Sequence, residues 1–107
     1  MREYDEAEKL ISAAFNEDEM DFFQSQLMIF KGILQEKKYS DLSVAQHYYS
    51  EGIRFISYFG EYGVEYSAYA YYGLSRISQA NGDKKSARIY RKEADKRAEF
   101  KKINFDR

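Results

Sequence analysis

No proline occurs anywhere in the 107 residues. No helix in this chain is therefore forced to kink or stop at a ring that lacks a backbone donor. Helices must end instead at Gly, Asn, Ser and clusters of charge. Against that background, apolar residues recur at spacings of three and four. Tyr4, Ala7, Leu10, Ile11, Ala14 and Phe15 form one stripe over 3–15, and Phe22, Phe23, Leu27, Phe30, Ile33 and Leu34 a second over 19–36. A third runs through Leu42, Ala45, Tyr49, Gly52, Ile53, Ile56 and Phe59, and a fourth through Ala68, Tyr71, Leu74 and Ile77. The last helix is expected from about Lys84 to about Ile103. Asn16 to Asp18, Lys37 to Ser40, Gly60-Glu61-Tyr62-Gly63 and Asn81-Gly82-Asp83 make the breaks. Ser40 is expected to N-cap the third helix, Gly82 to close the fourth and Asp83 to cap the fifth. No stretch alternates with period two for long enough to make a strand. The fold expected is an all-α domain of five antiparallel helices.

These helices repeat. Small residues stand seven apart, two helical turns, at Ala7/Ala14, Ala45/Gly52 and Ala87/Ala94, with a bulky apolar pair between them. Both small residues of a pair face one way, and a neighbouring helix can approach closely there. Residues 68–98 carry the fullest pattern, with Tyr71 and Leu74 on one helix, the Gly82-Asp83 turn, and Ala87 and Ala94 on the next. In this the chain resembles the tetratricopeptide repeat (TPR) family, whose helix-turn-helix unit has about 34 residues. The resemblance implies an α-hairpin solenoid of two and a half repeats: a half repeat at 3–15 and full repeats at 19–59 and 64–103. The chain departs from the family in its spacing, Ala7 to Ala45 and Ala45 to Ala87 both exceeding 34. It also lacks the family's Pro after the second helix, with Glu19, Ser57 and Glu99 at those places. Longer helices fit both departures.

Composition narrows the function. Without Cys, and with His47 as the sole histidine, neither a disulfide framework nor a thiolate or multi-histidine metal site can form within one chain. No apolar run reaches the length of about 18 residues that a membrane span needs. The carboxylates Glu17, Asp18, Glu19 and Asp21 suit a helix start rather than acid–base chemistry. Gly60-Glu61-Tyr62-Gly63 lacks the Lys and Ser/Thr of a phosphate loop. No enzyme activity, cofactor or metal is expected. A neutral-looking total charge of −1 hides an acidic start, eight acidic against two basic side chains over 1–23, and a basic end, ten basic against four acidic over 84–107.

The fourth helix is dense in Tyr, and Tyr62, Tyr66, Tyr69 and Tyr72 recur near one face. Tyr offers a large apolar ring with a polar tip at small entropic cost, which suits recognition. In TPR-like domains the first helices of the repeats line a concave groove for a peptide or helix. The resemblance would place Phe30, Tyr66, Tyr69, Tyr72, Arg76 and Gln79 there, with Leu27 and Leu34 added from the weaker repeat. Tyr71 is expected to pack between hairpins. The leading expectation is a non-enzymatic protein–protein interaction scaffold with a protein or peptide partner. The alternatives are a regulatory TPR-type sensor of a small ligand or peptide, and anionic-polymer binding through the basic last helix. Interspersed Glu93, Asp95 and Glu99 argue against nucleic acid. An opening helix without a hairpin partner, with oppositely charged ends, leads us to expect self-association or a place in a larger assembly. An acidic N-terminus without a signal pattern, and no Cys, fit a reducing cytoplasm; a periplasmic or secreted protein whose leader had been trimmed would read the same way.

Overall fold

A computed structural model describes residues 2–105. Its elements are α1 (Arg2–Ala14), α2 (Phe22–Lys37), α3 (Leu42–Ile56), a 3-10 segment (Ser57–Gly63), α4 (Val64–Ala80) and α5 (Lys84–Phe105). Among the described residues there is no strand, so the chain is all-α as its periodicity requires. The helices pack mainly in chain order: α2 on α3, α3 on α4 and α4 on α5, with α2 also meeting α4 and α1 lying on α2.

Each start signal has a physical basis. Asp21 caps α2, its Oδ1 accepting from the Gln24 backbone N–H at 2.8 Å. Asp83 accepts from the Ser86 N–H at 3.0 Å at the start of α5. At α3 the structure corrects the sequence expectation. Asp41, not Ser40, is the N-cap, accepting from the Val44 N–H at 3.2 Å. Ser40 occupies the left-handed region with φ 55°, where Gly82 has φ 80° in the later hairpin. The two turns differ in span: the Asp41 N–H bonds the Gln35 carbonyl, six residues back, at 2.8 Å, and the Asp83 N–H bonds the Ser78 carbonyl, five residues back, at 2.9 Å. One left-handed residue followed by a capping Asp nonetheless closes both hairpins.

The main core gathers Ile29, Ala45, Tyr49, Ile56, Ala70, Leu74 and Ile77. Tyr49 is fully buried at its centre. Its ring lies between Gly32 of α2 and Gly73 of α4. A methyl group at Gly32 would stand 2.8 Å from the ring, and one at Gly73 would overlap it outright. Gly52 does the same for Ile29, whose Cγ1 would lie 2.5 Å from an added Cβ. Of the small residues spaced by seven, Ala45, Gly52, Ala87 and Ala94 are buried against neighbouring helices, while Ala14 on α1 is exposed. Tyr71, expected between hairpins, has its ring 6.1 Å from that of Tyr90 and under the Arg97 guanidinium, both on α5, its partner within the last hairpin.

A smaller core joins Ile11 of α1 to Leu27 and Leu34 of α2, with Tyr4, Phe15 and Phe30 against it. Polar pins fasten α1 at both ends. At its C-terminal end the Gln24 side chain donates to the Ala14 carbonyl at 2.9 Å and accepts from the Asn16 N–H at 2.6 Å. At its N-terminal end Lys38 reaches Asp5 and Glu8, each at 2.7 Å, and the Tyr39 hydroxyl donates to Glu8 at 2.5 Å.

The turn assignment makes a signed prediction. An L-residue held left-handed costs about 1 kcal/mol, and glycine's greater unfolded freedom offsets part of any gain. Ser40→Gly should therefore stabilise by about 0.5 kcal/mol, raising Tm by roughly 2–4 °C. Gly82→Ala should lower stability by about 1 kcal/mol. Circular dichroism melts of the two variants check both signs; a lower Tm for Ser40→Gly would return Ser40 to a capping role.

Candidate functional site

Six residues marked in the sequence fall on α2 (Phe30) and α4 (Tyr66, Tyr69, Tyr72, Arg76 and Gln79). The structure joins some of them and separates others. Phe30 and Tyr66 meet edge to face at 6.2 Å, and Tyr66 also meets Phe22 at 6.1 Å. Tyr69, one turn further along α4, is 53% exposed. Tyr72 turns to α5, where its hydroxyl donates to Asp95 at 2.7 Å and the Arg91 guanidinium covers its ring. That hydrogen bond pushes the Tyr72 phenol up and holds the Asp95 carboxyl down. Gln79 is exposed near the end of α4.

Arg76 turns back to α2. Its Nε donates to Glu36 Oε2 at 2.7 Å and its Nη2 to Oε1 at 3.0 Å, a two-point grip on one carboxylate. The Tyr49 hydroxyl donates to the same Oε1 at 2.8 Å. The Glu36 side chain is only 8% exposed, so one buried carboxylate ties α2, α3 and α4 together. Burial pushes that carboxyl up, but the hydrogen bonds from Arg76 and Tyr49 outweigh it, leaving Glu36 below the ordinary carboxylate range. Burial first, then the Glu36 carboxylate, pushes the Tyr49 phenol far up, so Tyr49 stays a donor at any ordinary pH.

A concavity lies between α1 and α2. It has a volume of about 550 Å³ and a lining that is apolar throughout: Tyr4, Ala7, Leu10, Ile11 and Ala14 from α1, and Phe23, Leu27, Phe30, Ile33 and Leu34 from α2. At its mouth Leu10 is 73% and Phe23 52% exposed. Phe30 belongs to both surfaces, lining the cleft while its ring meets Tyr66 on α4. Leu27, Phe30 and Leu34, assigned to the groove in the sequence, come together here. The α1 wall was visible in the sequence as a helical stripe but was given no site. The signal for it was an apolar stripe on a helix that has no hairpin partner of its own.

A second, more polar concavity of about 330 Å³ is lined by Glu17, Asp18, His47, Glu51 and Arg54, among others. His47 is exposed on α3 with its ring 5.6 Å from that of Tyr48. Among the described residues no three His, Asp or Glu side chains are placed to hold a metal ion. No helix of the described chain is long and apolar enough to cross a membrane.

The Glu36 junction has a pH signature. Its carboxyl is lowered on folding, so its contribution is complete above the ordinary carboxylate pKa and is lost as pH falls through the folded value. Solvent around the half-exposed Arg76 screens that ion pair. Most of the cost of Glu36→Gln, about 2 kcal/mol, should then come from the buried hydrogen bonds. Urea unfolding from about pH 7 to about pH 3 should show the wild type losing its advantage over Glu36→Gln below about pH 4.5. A gap between them that widened on acidification would refute this role. Comparisons with protein-family models, with curated proteins and with solved structures found no match for this chain.

Proposed function

We propose that this chain is a non-enzymatic protein–protein interaction domain of TPR-like helical hairpins, and that it takes an amphipathic helix or peptide in the α1–α2 cleft. The observation that carries the reading is the cleft itself: ten apolar side chains around about 550 Å³, open at Leu10 and Phe23. Large exposed apolar surface rimmed by polar residues marks an interaction site, and a groove of this kind takes a helix by its apolar face. From the mouth, Phe30, Tyr66 and Tyr69 extend the aromatic surface onto α4, and Tyr69 keeps half its area for a partner. Arg76 uses two of its five N–H donors on Glu36. Those remaining suit a partner's carbonyl or acid, with Gln79 a turn further on. Tyr72, bound to Asp95, acts in this reading as a wall. The left-handed residue and capping Asp common to the two turns, and the buried small residues of α3 and α5, support the TPR-like description.

The same volume favours a second reading. A cleft of about 550 Å³ lies in the range of small-molecule pockets, and an apolar lining is their usual composition. A regulatory domain that senses an apolar ligand would use the same residues. A thermal-shift screen of apolar metabolites addresses it, since a ligand specific to the folded state raises Tm with its concentration.

The leading reading is tested with three labelled amphipathic helical peptides that share one apolar face and carry basic, neutral or acidic flanks. Fluorescence anisotropy should show at least one of them binding at micromolar Kd. Leu10→Asp and Phe23→Asp should each weaken it by about tenfold or more, a change of about 1.4 kcal/mol. Both side chains are largely exposed, so the variants should fold. Absence of binding, or binding indifferent to both substitutions, would overturn the reading.

A further inference from the structure

The two ends of α1 are fastened by different physics. At the C-terminal end the ties are sheltered. Gln24, buried, holds both the Ala14 carbonyl and the Asn16 N–H. The Phe15 ring lies under the Lys31 ammonium at 4.6 Å, and the same ammonium stands 5.4 Å from the Tyr48 ring. This end is thus tied to α2 and, through Lys31, to α3, and the short segment 15–21 joins it to the start of α2. At the N-terminal end the tie is ionic and wet. Lys38 reaches from the turn before α3 to Asp5 and Glu8, whose side chains are 53% and 33% exposed. Salt weakens such exposed pairs and leaves sheltered hydrogen bonds largely untouched.

Between its ends α1 packs loosely. The main core contains no residue of α1, and Ile11 is the one buried side chain among the described residues of that helix. A cleft of about 550 Å³ parts the apolar faces of α1 and α2. A helix that is not wedged into its neighbour can tilt without forcing core side chains past one another.

We infer that α1 is a hinged strap: it turns about its Gln24 end and is latched at its Lys38 end, so that the latch sets the width of the cleft. The helix is about 20 Å long. A tilt of about 15–20° about the hinge carries the turn around Tyr4 by about 5–7 Å. Occupants of different girth then fit against one fixed α2 wall. The motion needs no partner, so the inference goes beyond the docking reading and stands or falls apart from it.

The chain has no Cys, so pairs of spin labels test the swing directly. Glu3→Cys marks the latch end and Ala13→Cys the hinge end. Each is paired in turn with Ser50→Cys on α3 and Arg88→Cys on α5, and all four sites are exposed. Pulsed dipolar distances at low salt should be narrow for both ends in the otherwise unaltered chain. Lys38→Glu sets a third carboxylate beside Asp5 and Glu8. With it the Glu3 distances should shift or broaden by about 5 Å, while the Ala13 distances stay narrow. About 500 mM NaCl should move the unaltered chain part of the way, and Lys38→Arg, which keeps the cation, should behave as wild type. Far-UV circular dichroism of Lys38→Glu should keep its helical signal and a cooperative melt, because the main core contains no residue of α1. Glu3 distances that stay fixed in Lys38→Glu, or distances that broaden equally at both ends, would overturn the hinge. A loss of helical signal would also overturn it, since α1 would then melt rather than swing. Peptide binding in the cleft with fixed Glu3 distances would remove the hinge alone and leave the docking reading in place.

Discussion

The Tyr49 ring between two glycines is the contact that the rest of the packing accommodates. An aromatic side chain normally holds neighbouring helices apart. Here Gly32 and Gly73 remove the two side chains that would collide with it, so α2 and α4 close over α3 with the ring between them. The ring brings a hydroxyl into a dry interior, where an unmade hydrogen bond is expensive. Glu36 accepts it, and the carboxylate's own need for a counter-charge is met by Arg76 at the rim. Each step follows from the one before: a large ring needs glycines, its hydroxyl needs an acceptor, and a buried acceptor with a full charge needs a cation.

That chain of requirements also separates the molecule into parts of different stability. From α2 to α5, helices share a core with an internal polar tie. By contrast, α1 packs chiefly on α2 and is fastened by Gln24 at one end and Lys38 at the other. Between those pins its apolar face meets only part of α2, which leaves the cleft. Rigid scaffold and exposed apolar surface are thus adjacent, and Phe30 belongs to both. Recognition built this way loses little ordering entropy on the α2 wall, because that wall is already held from behind.

Much of this was legible in the sequence, for reasons that differ by element. Helix positions followed from apolar spacing, and Asn81-Gly82-Asp83 announced its geometry because Gly in that context favours positive φ. Ser40 was misread because a serine before a helix commonly caps it; only the backbone shows that it stands in for glycine and that Asp41 caps. The Glu36–Arg76 pair spans 40 residues, and its existence depends on how α2 meets α4, which no local pattern encodes. The turning of Tyr72 toward Asp95 is hidden for the same reason. For the cleft, α2 residues Leu27, Phe30 and Leu34 were found by their repeat positions. The α1 wall was missed because the same stripe would serve equally well for an ordinary buried helix.

The two-ended fastening of α1 makes that helix a gauge. With few apolar neighbours and pins of exposed charge at one end, its backbone amides should open at lower free energy than those of α3 or α4. Whatever fills the cleft adds a second apolar neighbour along the middle of α1 and suppresses that opening. Slowed amide exchange confined to this first helix would therefore report occupancy of the cleft, whichever molecule occupies it.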